Sequence, residues 1–333
     1  MNEEELPEYV RVSLGSAIAL RLVEGRIDTK PSTIYLLTYV QGKCRADCRF
    51  CSQAKSSTSK ADMLSRVSWP KHRSIEVLKA LENAWKENSV KRVCIQALNY
   101  PGVFSEVYAL VKGITTRMEI PVSLSCQPIN GKEMRLLTDA GLDRIGIPLD
   151  AANPEVFGKV KGPEAGGPYL WKKHLDAIQE ATRIFGKGRV STHIIVGLGE
   201  RDLEIVRLVD DMVKLGVCPA IFAFTPVYGT RMEGQPKPSL KRYRWIQLAR
   251  YLLVNGEACY DKMRFDSDGS ILDLGVPREK VMEAITSGKP FITTGCVNCD
   301  RPYYNEEPKG PFYNYPRRPK AQEVAEIERE LLG

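Results

Sequence analysis

Histidine is nearly missing. His72, His174 and His193 are the only three in 333 residues, too few to build a histidine-rich metal centre. No apolar run approaches the ~20 residues that a membrane helix needs. The opening MNEEELPEYV lacks the basic-then-apolar order of a secretory leader. A cytoplasmic protein with no membrane partner is expected. Charge of one sign is in little excess: Lys+Arg 48 against Asp+Glu 41 leaves +7, spread along the chain. That supports no nucleic-acid partner, and suits an acidic protein or an anionic substrate equally well. With 43% hydrophobic and 27% charged residues, disorder, collagen-like repeats and disulfide-dense miniproteins are excluded.

Cysteine, by contrast, is plentiful and unevenly placed. Cys44, Cys48 and Cys51 fall within eight residues, Cys296 and Cys299 form a late pair, and Cys94, Cys126, Cys218 and Cys259 stand alone. In a cytoplasmic chain these are metal ligands or small buried hydrophobes before they are disulfides. Cys218 and Cys259 read as buried hydrophobes.

Apolar runs alternate with amphipathic stretches. Strands are expected over 33–40, 92–98, 121–126, 144–149, 190–196, 220–225, 263–266 and 290–293. Helices are expected over 74–88, 104–117, 132–140, 170–184, 202–215, 240–254 and 278–286. In the first helix Ile75, Leu78, Leu81 and Trp85 recur at helical spacing. Eight strands alternating with helices predict an α/β protein, a closed (β/α)8 TIM-type barrel. The expected division is an N-terminal helical extension (1–32), the barrel (33–299) and an irregular tail packed on the barrel and ending in a helix (300–333).

Cys44-Arg-Ala-Asp-Cys48-Arg-Phe-Cys51 follows the end of the first expected barrel strand, on the face where such barrels carry their active sites. A structural zinc would want a fourth nearby Cys or His, and none is adjacent. Three cysteines suit an Fe–S cluster that keeps one iron free of protein ligands. The bland alternatives are three unrelated core cysteines, or half of a zinc site completed from afar.

C-x3-C-x2-C with an aromatic before the last cysteine resembles the signature of the radical S-adenosylmethionine (SAM) superfamily. The resemblance implies that Cys44, Cys48 and Cys51 hold a [4Fe–4S] cluster whose open iron is chelated by SAM. An electron then cleaves SAM to a 5′-deoxyadenosyl radical, which abstracts hydrogen from an unactivated carbon; the cofactor does the hard step. By the same resemblance Phe50 flanks the adenine and Asp150, in Ile147-Pro-Leu-Asp150, lies near the ribose. Val196, Gly197 and Glu200, in the strand end His193-Ile-Ile-Val-Gly-Leu-Gly-Glu200, lie beside the adenine. Locally, a glycine there is as well explained by a turn, and Asp150 by a helix cap.

Cys94 and Cys126 close the second and third expected strands. This placement resembles biotin synthase, in which cysteines at these strands help to hold an auxiliary, sulfur-donating cluster. Arg264 matches that family's arginine ligand, but its remaining cysteine falls at Ser191 here. Cys296-Val-Asn-Cys299 is a good half-site for Fe–S or zinc, because both sulfurs reach one centre across a tight turn. With Cys126, and less strongly Cys94, it is expected to hold a second [4Fe–4S] cluster; zinc or a redox dithiol is the alternative.

Thr294-Gly-Cys-Val-Asn-Cys-Asp-Arg-Pro-Tyr-Tyr-Asn305 with Tyr313-Asn-Tyr-Pro316 looks like the archaeal-type two-component lipoyl synthases. That resemblance implies sulfur insertion into an octanoyl chain on a lipoyl carrier protein. It also implies a second related radical SAM subunit and an electron donor such as ferredoxin. Biotin synthase acting on dethiobiotin is the alternative, followed by a radical SAM maturase or mutase without sulfur transfer.

Overall fold

The computed structural model describes residues 6–306 and 309–332. Residues 1–5 of the expected extension, and 307, 308 and 333 of the expected tail, lie outside the described residues. The chain enters through β1 (Tyr9–Val12) and α1 (Leu14–Ala19) and reaches β2 (Thr33–Thr38). The loop bearing the early cysteines leads to a small hairpin, β3 (Met63–Leu64) with β4 (Val67–Ser68), and to β5 (Lys71–Arg73). Alternation then sets in: α2 (Ser74–Lys86), β6 (Arg92–Gln96), α3 (Val103–Thr115), β7 (Val122–Ser125), α4 (Gly131–Asp139) and β8 (Arg144–Gly146). It continues with α5 (Pro154–Val160), α6 (Trp171–Phe185), β9 (Val190–Val196), α7 (Asp202–Lys214), β10 (Val217–Ala223) and α8 (Leu240–Val254). A hairpin of β11 (Arg264–Phe265) and β12 (Ile271–Asp273) follows, then α9 (Arg278–Ser287) and α10 (Ala321–Leu332).

The main sheet has the order β10-β9-β8-β7-β6-β2-β1-β5. From β2 to β10 every neighbour is parallel, while β1 runs antiparallel to both β2 and β5. This is the expected α/β, TIM-type class. The helices hide the outer face of the parallel strands, so their residues are buried on both faces; all six positions of β2 are buried. The core between strands and helices is dominated by Ile, Leu and Val.

Three expectations change in detail. The stretch 263–266 forms strand only at Arg264–Phe265, and it pairs with β12 in a separate two-stranded sheet. The stretch 290–293 is not a strand: Gly288 caps α9 at φ +67°, and Lys289–Phe291 form a 3-10 turn. Proline at 290 has no N–H to give a ladder, and only Ile292 makes a bridge, to Tyr315. The N-terminal extension holds β1 as well as a helix, because Val10, Arg11 and Val12 pair with Thr38, Leu37 and Leu36.

Residues 294–300 occupy the place where two further strands would have stood. On one side the Ile221 N–H donates to Thr294 Oγ1 (3.0 Å) and the Cys218 thiol to the Gly295 carbonyl (3.4 Å). On the other, Thr33 Oγ1 donates to the Asn298 carbonyl (2.8 Å) and Arg92 Nε to the Val297 carbonyl (3.0 Å). The tail thus spans from β10 to β2 and β6 and carries the late cysteine pair into the barrel.

Candidate active site

The early cysteine loop is held by its own backbone. Cys44 N–H donates to the Gln53 carbonyl (3.0 Å) and Cys51 N–H to that of Cys48 (3.0 Å). Lys43 Nζ donates to the Ser52 and Ser59 carbonyls, both at 2.6 Å. The Asn99 N–H donates to Cys44 Sγ at 3.3 Å. Cys44, Cys48 and Cys51 line one cavity of about 170 Å³, together with Cys126, Asp150 and Tyr169. Burial pushes the Cys48 thiol well up and that of Cys51 to about 12, so both keep their protons until a metal centre displaces them.

Cys94, Cys296 and Cys299 line a second cavity of about 200 Å³ inside the barrel. Strand register explains Cys94: it pairs with Tyr35 and Ser123 and has the same parity as Gln96, and all four line this cavity. Cys299 N–H donates to the Cys296 carbonyl (2.9 Å), closing the turn that brings the two thiols to one side. Ser123 Oγ donates to Cys296 Sγ (3.4 Å), and the Tyr35 hydroxyl lies 3.7 Å from Cys299 Sγ. Burial is the first cause that raises the Cys94 and Cys299 thiols. The Arg301 guanidinium, 3.9 Å from the Phe222 ring centroid, opposes that rise in both.

The sequence reading ranked Cys126 ahead of Cys94 as companion of the late pair. Cys126 instead lies one residue past β7 and does not line the inner cavity. Its N–H is bound to the Gly146 carbonyl, and it lines the cavity of the early cysteines. Arg264 is on a surface hairpin, paired with Asp273 at 2.8 Å, away from both cavities. Ser191 lines the inner cavity.

Phe50 and Asp150 line the inner cavity as well. Val196 is buried in the hydrophobic core. Glu200 turns inward, accepting from the Gly197 N–H (2.7 Å) and Leu198 N–H (2.9 Å) and pairing with Arg242 (3.3 Å). Val196, Gly197 and Glu200 therefore shape the loop after β9 and line neither cavity. Sequence reasoning passed over Tyr35, Ser123, Lys161 and Arg301. The inward parity of β2, β6 and β7 was the available signal for the first two.

Both cavities share Cys51, Leu64, Gln96, Ser125, Asp150 and His193. A molecule held there lies between the two cysteine sets. The wall of the inner cavity is mostly apolar, with Leu124, Ile195, Phe222, Phe224 and Val227. His193 is neutral at physiological pH, its pKa lowered to about 3 by burial and then by Arg301.

Among the described residues no three Cys, His, Asp or Glu side chains converge on one metal ion, whereas a cubane takes each thiolate on a separate iron. Fold and site therefore define an α/β, TIM-type protein whose interior cavities are lined by cysteine thiols. The radical SAM superfamily model matches residues 38–212, and the chain belongs to that superfamily; its cofactors are a [4Fe–4S] cluster and SAM. The chain is 28% identical to the biotin synthase of Magnetococcus marinus over 185 residues, 55% of this chain and 54% of the relative. To the biotin synthase of Persephonella marina it is 26% identical over 229 residues, 67% and 63% of the two lengths. The chain thus spans between half and two thirds of these relatives. Among solved structures, methylornithine synthase superposes with a TM-score of 0.52 at 14% identity, covering 67% of this chain and 62% of that one. The FeFe-hydrogenase maturase of Carboxydothermus hydrogenoformans gives 0.51 at 17% identity, covering 73% and 59%. These two likenesses concern the fold alone. Among the described residues no helix is long and apolar enough to cross a membrane.

Proposed function

We propose that this protein is a radical SAM sulfur-insertion enzyme. In this reading Cys44, Cys48 and Cys51 hold the [4Fe–4S] cluster that SAM chelates, and Cys94, Cys296 and Cys299 hold an auxiliary cluster that is consumed as sulfur donor. The observation that carries the reading is the pair of adjoining, mostly apolar cavities, one lined by each cysteine set, that share Cys51, Asp150 and His193. When bound, the first cluster and SAM supply a carbon-centred radical that removes hydrogen from an unactivated C–H bond.

The chain's own residues do the rest. Asp150, fixed four residues past β8 by a bridge to Ile194, lines both cavities and suits the ribose hydroxyls of SAM. Phe50, beside Cys51, offers a flat face to the adenine. Leu64, Leu124, Ile195 and Phe222 keep water from a radical that would otherwise be quenched. Ser123 and Tyr35 restrain the side chains of Cys296 and Cys299, which would hold the auxiliary cluster and supply its sulfur to the substrate.

The biotin synthases among its relatives favour dethiobiotin as the substrate class. The late Cys296/Cys299 pair, together with a surface position for Arg264, favours a second reading: octanoyl-lysine on a lipoyl carrier protein, with a related radical SAM subunit as partner. A ferredoxin-like protein would deliver the electron in either case. The test is anaerobic turnover of the reduced enzyme with SAM and either free dethiobiotin or an octanoyl-lysine peptide. A sulfur-bearing product from one of them is expected, lost in Cys296→Ala/Cys299→Ala while SAM cleavage persists. Sulfur insertion that survives in that variant would contradict the donor assignment.

A further inference from the structure

One buried cation has no part in the reaction as described. Lys161 follows α5 and is fully buried. Its Nζ donates to the Pro148 carbonyl (2.5 Å) and to Asp150 Oδ2 (2.8 Å). The rings of Phe157 and Tyr169 face it at 5.7 and 5.4 Å. A buried ion pair is a poor stabiliser, since well-packed apolar residues of similar volume do as well or better. Leucine or methionine against these two rings would fill the space without desolvating an ammonium. Stability therefore does not account for lysine at this position.

Its location does. The Arg49 N–H donates to the Val160 carbonyl at 2.8 Å, which ties the residue after Cys48 to the residue before Lys161. Cys48, Phe157, Val160 and Tyr169 pack in one apolar cluster, a low-dielectric setting in which a fixed charge acts strongly. Asp150, which Lys161 Nζ holds at 2.8 Å, lines the same cavity as Cys44, Cys48 and Cys51. Asp150 itself is held at φ +66°. Its N–H donates to the His193 carbonyl (2.8 Å), and its carbonyl accepts from the Ile195 N–H (2.7 Å). The carboxylate cannot drift from the lysine.

We infer that Lys161 is a positioning residue that sets the reduction potential of the cluster held by Cys44, Cys48 and Cys51, with Asp150 as its opposing charge. The inference rests on the assignment of those three cysteines as cluster ligands. Reduction adds negative charge, so a neighbouring cation favours the reduced form and a neighbouring anion disfavours it. The two charges therefore act on the potential with opposite sign.

Lys161→Met, Asp150→Asn and the double variant test this in the full chain with its clusters reconstituted. The readout is the midpoint potential of the EPR signal that responds to added SAM. Lys161→Met is expected to move the midpoint down, Asp150→Asn to move it up, and the double variant to fall between the two. A residue with a merely structural role would give no such opposition of sign. If Lys161→Met does not fold, the double variant, a neutral pair of similar shape, carries the test by lying below Asp150→Asn. Equal midpoints in all folded variants, or shifts of the same sign, overturn the inference. An iron count separates the failures: no cluster in the native chain that depends on Cys44, Cys48 and Cys51 overturns the ligand assignment, and the inference with it. A full iron content with an unmoved midpoint overturns the inference alone.

Discussion

Cys94 and Cys126 belong to neighbouring strands, yet Cys94, within β6, lines the inner cavity and Cys126, one residue past β7, lines that of the early cysteines. Cys94 alternates with Gln96 along β6, and its strand partner Ser123 lines the same cavity. That distinction was hidden in the sequence, because it depends on where β7 stops, and strand ends are set by tertiary pairing as much as by local preference. The early triad was legible because its spacing is local: three cysteines within eight residues meet whatever the rest of the chain does. Single buried residues also set the acid limb of stability. His174, bonded to the Leu170 carbonyl at 3.1 Å, and His193 both have pKa values lowered to about 3, chiefly by burial. Between that value and the ordinary histidine value near 6.5, the unfolded chain takes up protons that the folded chain refuses, so stability falls as pH falls. Each histidine costs about 1.4 kcal/mol at pH 5.5 relative to neutral pH. Urea denaturation at pH 7.5 and 5.5 should show this loss shrinking by about that amount in His174→Gln; an unchanged difference would contradict it.

At the scale of elements, the parallel strands and most helices followed from alternation alone. The missed helix, α5, had a local signature: Asn153 accepts from the Val156 N–H (2.8 Å) and Pro154 takes the first turn, the usual start of a helix. The eighth expected strand failed because the apolar content of 290–293 was read without the left-handed Gly288 and the missing donor at Pro290. The loop after β9 shows a different limit. Gly197 sits at φ +107°, and a Cβ there would lie 3.0 Å from Pro238 Cδ, so the glycine was legible as a turn. That Glu200 folds back to bind this turn follows from the two N–H groups the turn exposes. Glu200→Ala leaves those two N–H donors without their acceptor, while Arg242 keeps Asp202 at 2.6 Å, and should cost about 2–4 kcal/mol. Glu200→Gln keeps one acceptor oxygen and should cost less. Denaturant midpoints that rank the two variants the other way would contradict this account of the loop.

At the scale of the whole molecule, the barrel is closed by its own tail. Arg244, nearly fully buried, donates to the Tyr313 carbonyl (2.7 Å) and to that of Phe312. The Tyr313 hydroxyl donates to the Pro238 carbonyl (2.8 Å). The five prolines and five aromatics of 299–319 signalled packing without regular structure, but no periodicity told where the segment would lie. Its course gives the late cysteine pair its meaning, because residues 294–300 deliver Cys296 and Cys299 opposite Cys94 and across the cavity from the early triad. Two independent clusters facing one substrate space is the central claim. The most direct measurement counts iron and sulfide per chain after anaerobic purification, in the native protein and in two triple-alanine variants, one of Cys44, Cys48 and Cys51 and one of Cys94, Cys296 and Cys299. About eight irons in the native chain, falling to about four in each variant, is the expected result for two [4Fe–4S] sites. About four irons in the native chain, lost entirely with the early triad and untouched by the late one, would leave a single cluster and no sulfur donor.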